Sequence, residues 1–107
     1  MKVIEEGHLY ELDSFEGTNP QQLRFIKKEP LPSNPTELRI VYDGTTNEEV
    51  LDVLIDRVHT LHRKFPCEEN EFSLLALRNA RVWLDMRTRR RKKQKVEGKQ
   101  LPHISKD

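Results

Sequence analysis

The spacing of apolar residues changes at Asp43-Gly44. Before this junction the apolar positions form short, partly alternating runs at residues 3–5, 9–12, 23–28 and 38–42. Gly7, the turn-rich DSFEGTNP and the proline-rich PLPSNP separate them. Alternation of this kind predicts strands. Pro30, Pro32 and Pro35 withhold backbone donors and place their stretch in an exposed loop. Three or four such strands give an antiparallel sheet too small to stand alone.

After the junction the period becomes helical. Gly44 suits a turn, and Thr46 with Glu49 three residues on makes a capping box. Apolar residues then recur at 50, 51, 54, 55, 58, 61 and 65. Pro66 disfavours helical backbone at Phe65, so this helix ends near Lys64. A second helix follows, capped by Asn70 or Cys67, with Glu68, Glu69 and Glu71 at the positive end of its dipole. Phe72, Leu75, Ala76, Ala80, Trp83 and Leu84 make its expected buried stripe. The short connection implies an antiparallel αα-hairpin. The expected fold is α+β in one domain: an N-terminal antiparallel sheet over residues 1–43, a helical hairpin over 44–98, and a flexible tail over 99–107.

Composition adds two constraints. Only 35% of the 107 residues are apolar, so a lone copy has a thin core, and self-association is expected. The net charge of +1 conceals an asymmetry: residues 1–86 hold 10 basic and 16 acidic side chains, and residues 87–107 hold 9 and 2. That split points to an anionic partner for the C-terminal part, or to contact between subunits. Cys67 is the only cysteine, which excludes a disulfide framework and suits a reducing compartment. No apolar run reaches the length of a membrane span, and the N-terminus lacks the apolar core of a signal peptide, so the expectation is a soluble intracellular protein with no membrane partner.

The candidate chemistry lies in WLDMRTRRRKK. Seven of the nine residues from Arg87 to Lys95 are Arg or Lys. Arg87, Arg90 and Arg91 fall at i, i+3 and i+4 on a face shared with Trp83, expected to continue the core-facing stripe. Three readings compete. A solvated helix end needs no partner. A nucleic acid would track a basic surface, but residues 1–86 are acidic and aromatic residues make up only 7% of the chain. A compact diphosphate would relieve the repulsion between paired guanidiniums and accept their bidentate hydrogen bonds. His59 and His62 stand at i, i+3, but no third ligand lies at a helpful spacing, so neither a metal nor a cofactor is expected. No nucleophile sits beside a base, which argues against an enzyme.

The ordered segments EEGHLYEL, QQLRFIKK, GTTNEEVLDVLIDR, FPCEEN and WLDMRTRRRKKQKVEG resemble the first family of phage-encoded Thoeris anti-defence sponge proteins, over roughly residues 1–98. The hairpin half also resembles a domain shared with a phage anti-CBASS sponge. The resemblance implies a small N-terminal sheet, a two-helix hairpin, and dimers that can assemble into hexamers. It implies binding without cleavage of immune second messengers, chiefly glycocyclic ADP-ribose isomers, with cyclic di- and trinucleotides in some members. The setting implied is the cytoplasm of an infected bacterium. Arg87 and Arg91 match the family's R-T-x-x-R messenger contacts, and Asn70 matches a ligand-contacting Asn. Thr60 stands where the family usually has an aromatic that stacks on the base. Arg57 is a phosphate or ribose candidate one turn earlier, and Arg90 is a helper beside Arg87. The pocket is expected between two subunits, because one hairpin offers little concavity. The competing expectation is a small basic nucleic-acid-binding phage protein.

Overall fold

A computed structural model describes residues 1–93, which form two compact units, Met1–Thr46 and a second that begins at Asn47. The expected hairpin end at Gly98 and the tail over 99–107 lie outside the described residues. The fold is α+β, with small antiparallel sheets followed by two helices.

The first unit has five strands: β1 (Lys2–Glu5), β2 (Leu9–Leu12), β3 (Gln21–Arg24), β4 (Lys27–Pro30) and β5 (Leu38–Tyr42). They make two sheets rather than the single sheet expected, a three-stranded β1-β2-β3 and a two-stranded β4-β5, all neighbours antiparallel. Gly7, with φ +77°, makes the turn between β1 and β2, where an L side chain would be strained.

The expected strand at 23–28 is split at Phe25-Ile26 because its backbone pairs elsewhere. The Phe25 N–H donates to the His8 carbonyl at 2.7 Å, and the Ile26 N–H donates to the Thr45 carbonyl at 3.0 Å. In return the Thr45 N–H donates to the Arg24 carbonyl at 2.8 Å. This crossing requires close backbone approach at Gly44. A Cβ there would stand 2.5 Å from the Phe25 carbonyl carbon and 2.7 Å from the Arg24 carbonyl oxygen. Gly44, expected as a turn residue, is therefore glycine for lack of space.

A polar cluster spans the two sheets. The Tyr42 hydroxyl on β5 donates to Glu5 Oε1 on β1, and Lys27 Nζ on β4 donates to Glu5 Oε2 at 3.0 Å. The Arg24 guanidinium on β3 stacks 4.5 Å from the centre of the Tyr42 ring. Hydrogen bonds from Tyr42 and then Lys27 hold the Glu5 carboxyl below its ordinary value, and the same bonds raise Lys27 and Tyr42. Tyr10 and Phe25 add an edge-to-face contact at 6.0 Å.

The second unit is the hairpin of α1 (Asn47–Lys64) and α2 (Glu68–Lys93). The Asp52–Arg81 and His62–Glu71 pairs, at 3.0 and 3.8 Å, set the antiparallel register. Along α1 the half-buried Leu51, Ile55, Val58 and His62 face α2 at alternating spacings of four and three. Along α2 the matching positions are Asn70, Leu74, Leu77, Arg81, Leu84 and Thr88. Leu74, 5% exposed, is the one buried apolar side chain among the described residues.

The expected stripe on α2 is thus turned away from α1. Phe72, Leu75 and Trp83 are 59%, 64% and 62% exposed, and Ala76 and Ala80 are exposed too; only Leu84 of that set is half-buried. The helix carries two apolar stripes on opposite sides, and α1 covers the one that contains Leu74 and Leu77.

Two outcomes follow. Gly44→Ala forces backbone apart at the Phe25–Thr45 crossing and should lower stability by about 1–3 kcal/mol, read as a lower urea midpoint; an unchanged midpoint would refute the crossing. Because Glu5's folded pKa lies below its unfolded one, its contribution is present above the ordinary value of 4.5 and disappears as pH falls through the folded pKa. Glu5→Gln should therefore flatten the acid limb of the stability profile, measured by circular dichroism, and a limb as steep as the wild type's would exclude the cluster as its cause.

Candidate ligand site

A helix with acidic residues in its first turn and arginines in its last opposes its own dipole at both ends, so α2 tolerates its cationic run where it stands. Within that run, helical phase and local partners separate the arginines. Arg89 donates to Asp85 at 2.7 Å, and Asp85 also lies 3.8 Å from Arg81, so Arg89 is engaged along its own helix. Arg81 donates to Asp52 at 3.0 Å, a bond that raises its already high pKa. These pairs make Asp85 and Asp52 structural carboxylates of the hairpin.

Arg87 and Arg90 belong to a different surface. With Trp83 and Met86 they line a shallow depression of about 210 Å³, and a second one of about 250 Å³ continues it along Met86, Arg89, Arg90 and Lys93. Every lining residue comes from α2, so this is a groove along one helix. Its aromatic floor and cationic rim suit a flat, anionic ligand: the indole offers a stacking face and the guanidiniums offer forked donors. Arg87 is exposed and holds no ion pair among the described residues.

The expectation that Arg87, Arg90 and Arg91 share a core-facing stripe with Trp83 is corrected. Trp83, Arg87 and Arg90 lie on the side away from α1. Arg91 is half-buried and falls about 100° further round than Arg90, flanking the seam with α1. The cause is the pair of opposite apolar stripes on α2: both have helical spacing, and the seam uses the other one.

Of the remaining candidates, Asn70 and Thr60 stand toward the other end of the hairpin and Arg57 stands midway along α1. Asn70 is half-buried in the first turn of α2, at the seam. It is not the cap; Cys67 precedes the helix and its carbonyl accepts the Glu71 N–H at 3.2 Å. Arg57 is exposed and Thr60 half-buried, both on the side of α1 turned away from α2 by helical phase. Seventeen residues of helix separate Asn70 from Arg87, about 26 Å at 1.5 Å per residue. One hairpin therefore brings Arg87 and Arg90 together but leaves Asn70, Thr60 and Arg57 far from them.

His62, considered beside His59 as a metal ligand, has a structural task. Its Nδ1 accepts the Cys67 N–H at 3.3 Å, which ties the end of α1 to the start of α2. Among the described residues no three His, Cys, Asp or Glu side chains converge as a cation site would require. No described helix is long and apolar enough to cross a membrane. Trp83 and Met86 as groove-lining residues were missed because their spacing equally fits a core stripe. The exposed Phe72, Leu75 and Val82 on the same side are the signal that separates the two.

No protein-family model matches the chain, and no curated protein matches it significantly.

Proposed function

We propose that the protein is a phage immune-evasion sponge: it binds cyclic nucleotide second messengers in the cytoplasm of an infected bacterium and holds them without cleaving them. Glycocyclic ADP-ribose isomers are the first candidates, and cyclic di- and trinucleotides the second. The observation that carries this reading is the groove where Arg87 and Arg90 flank Trp83, an arrangement of donors and aromatic surface matched to a diphosphate joined to a purine. The ordered motif resemblance supports it independently, and it supplies the messenger class, which the groove alone does not.

Chemically, the guanidiniums take the diphosphate and the indole or Met86 takes the base. Two guanidiniums about 6 Å apart repel by roughly 2–3 kcal/mol at an effective dielectric of 20, and a bound dianion removes that cost. With Thr60 in place of the usual aromatic, Trp83 is the candidate for the stacking partner. The groove volume falls below the roughly 300–1,000 Å³ of most small-molecule pockets, which favours a site completed by self-association into dimers or hexamers.

Isothermal titration with glycocyclic ADP-ribose, 3′,3′-cyclic GMP-AMP and cyclic triadenylate tests the proposal. Saturable binding to at least one is expected, with intact ligand recovered after heating. Arg87→Ala should weaken it about 10- to 100-fold, the range for a lost charged hydrogen bond of about 1.5–3 kcal/mol. No binding to any of the three would sink the idea, and recovery of degraded ligand would make the protein an enzyme. Affinity for DNA or RNA that falls steeply with salt, with Lys92 and Lys93 contributing like the arginines, would instead establish the nucleic-acid reading.

A further inference from the structure

The side chains that line the two depressions on α2 share a chemical property: nearly every polar group they present is a donor. Trp83, Met86, Arg87, Arg89, Arg90 and Lys93 supply an indole N–H, guanidinium N–H groups and an ammonium, and the one acceptor among them is the weak thioether of Met86. The oxygen-bearing side chains of the same stretch are committed elsewhere. Asp85, the only carboxylate between Trp83 and Lys93, accepts from Arg89 at 2.7 Å and lies 3.8 Å from Arg81. Thr88, the only hydroxyl there, is half-buried along the seam with α1.

A lining of donors selects its ligand by acceptors. Phosphate oxygens meet that demand, but they do not distinguish one nucleotide from another. Stacking does not distinguish them either, because the face of any base can lie on the indole of Trp83. The choice falls to the edge of the stacked base. Guanine presents O6 and N7 side by side as two acceptors, the pair that a guanidinium fork meets with two hydrogen bonds. Adenine presents N7 beside the N6 amine, which sets a donor against donors and leaves N–H groups on both sides without a partner. With five N–H groups, an arginine can hold a phosphate oxygen and a base edge at once.

We propose that the groove discriminates by base: it prefers a 6-oxopurine, guanine or hypoxanthine, over adenine in ligands of equal ring and charge. Arg87 is the residue best placed to read the edge. It stands one turn beyond Trp83, at i+4, is exposed, and holds no ion pair among the described residues. Arg90, which lines both depressions, and Lys93, three residues beyond it, carry the phosphates onward along α2.

The inference rests on the functional reading above and narrows it. The motif resemblance supplies the class of messenger. The lining ranks members of that class by base, with guanine-containing cyclic dinucleotides ahead of purely adenine ones.

Isothermal titration of the full chain with 3′,3′-cyclic di-GMP, 3′,3′-cyclic di-IMP and 3′,3′-cyclic di-AMP tests the preference, because the three share ring, linkage and charge and differ only in the base. Trp83 is the chain's only tryptophan, so quenching of its fluorescence reports whether each ligand sits on the groove. The guanine and hypoxanthine forms should both quench it and bind about 10-fold more tightly than the adenine form. Hypoxanthine keeps O6 and N7 but lacks guanine's 2-amino group, so similar affinities for these two assign the preference to the acceptor pair. Arg87→Lys keeps the charge and loses the fork, and the ratio between cyclic di-GMP and cyclic di-AMP should then approach unity. Lys93→Gln should weaken all three in the same proportion. Equal affinities, tighter adenine binding, or a ratio unchanged in Arg87→Lys would each overturn the preference and leave the sponge reading standing. So would heat without quenching, which puts the ligand off the groove, and so would binding of glycocyclic ADP-ribose with refusal of all three dinucleotides. No binding of any of the four would remove the functional reading and this inference with it.

Discussion

The seam that buries Leu74 between α2 and α1, with Arg81 paired to Asp52 across it, decides which face of α2 is left outside. The bond is 3.0 Å long and joins two partly exposed side chains, 30% and 50% accessible. Such a pair contributes only about 0–1 kcal/mol, so its role is selection of register more than stability. With Arg81 turned toward α1, Leu77 and Leu74, one and two turns earlier, enter the same seam. Leu74 becomes the buried residue, and Trp83, 200° from Arg81 by helical phase, is carried to the opposite side. Had α1 covered the Trp83 stripe, the arginines at 87 and 90 would have pointed toward the partner helix.

The chain's period discloses its elements better than it discloses their faces. Pro66 and the acidic residues after it place the break between the helices, and α1 runs Asn47–Lys64 as the spacing of its apolar residues implies. On α2, however, Phe72-Leu75-Trp83 and Leu74-Leu77-Leu84 both recur at intervals of three and four, and periodicity alone does not choose between them. The seam that forms includes Arg81, whose partner Asp52 lies 29 positions away. The same limit applies to the strands. Residues 23–28 alternate like one strand, but the backbone at Phe25-Ile26 pairs with His8 and Thr45, and the second of these contacts depends on Gly44, 18 positions downstream of Ile26.

For the candidate site, this means that charge was legible in the sequence and orientation was not. The run from Arg87 separates into side chains with different neighbours: Arg89 with Asp85, Arg87 and Arg90 around Trp83 and Met86, and Arg91 beside the seam. Asn70 and Thr60 belong to the far end of the hairpin and Arg57 to the middle of α1, a separation that residue spacing on two separate helices does not reveal. A ligand of nucleotide size, about 10–15 Å long, cannot touch both ends of one hairpin, since 17 residues of helix span about 26 Å. The residues matched by resemblance can serve one ligand only if they come from different copies.

The apolar excess points outward in the same way. A chain that is 35% apolar, with Leu74 as the buried apolar residue among those described, leaves most of its hydrophobic surface on the outside of the helices. Burial of that surface is worth about 25 cal/mol per Å², and Phe72, Leu75 and Trp83, each more than half exposed, leave most of theirs unused. Trp83 and Met86 line the groove and belong to this same face, so a ligand in the groove and a protein partner on the face would compete for the same side chains.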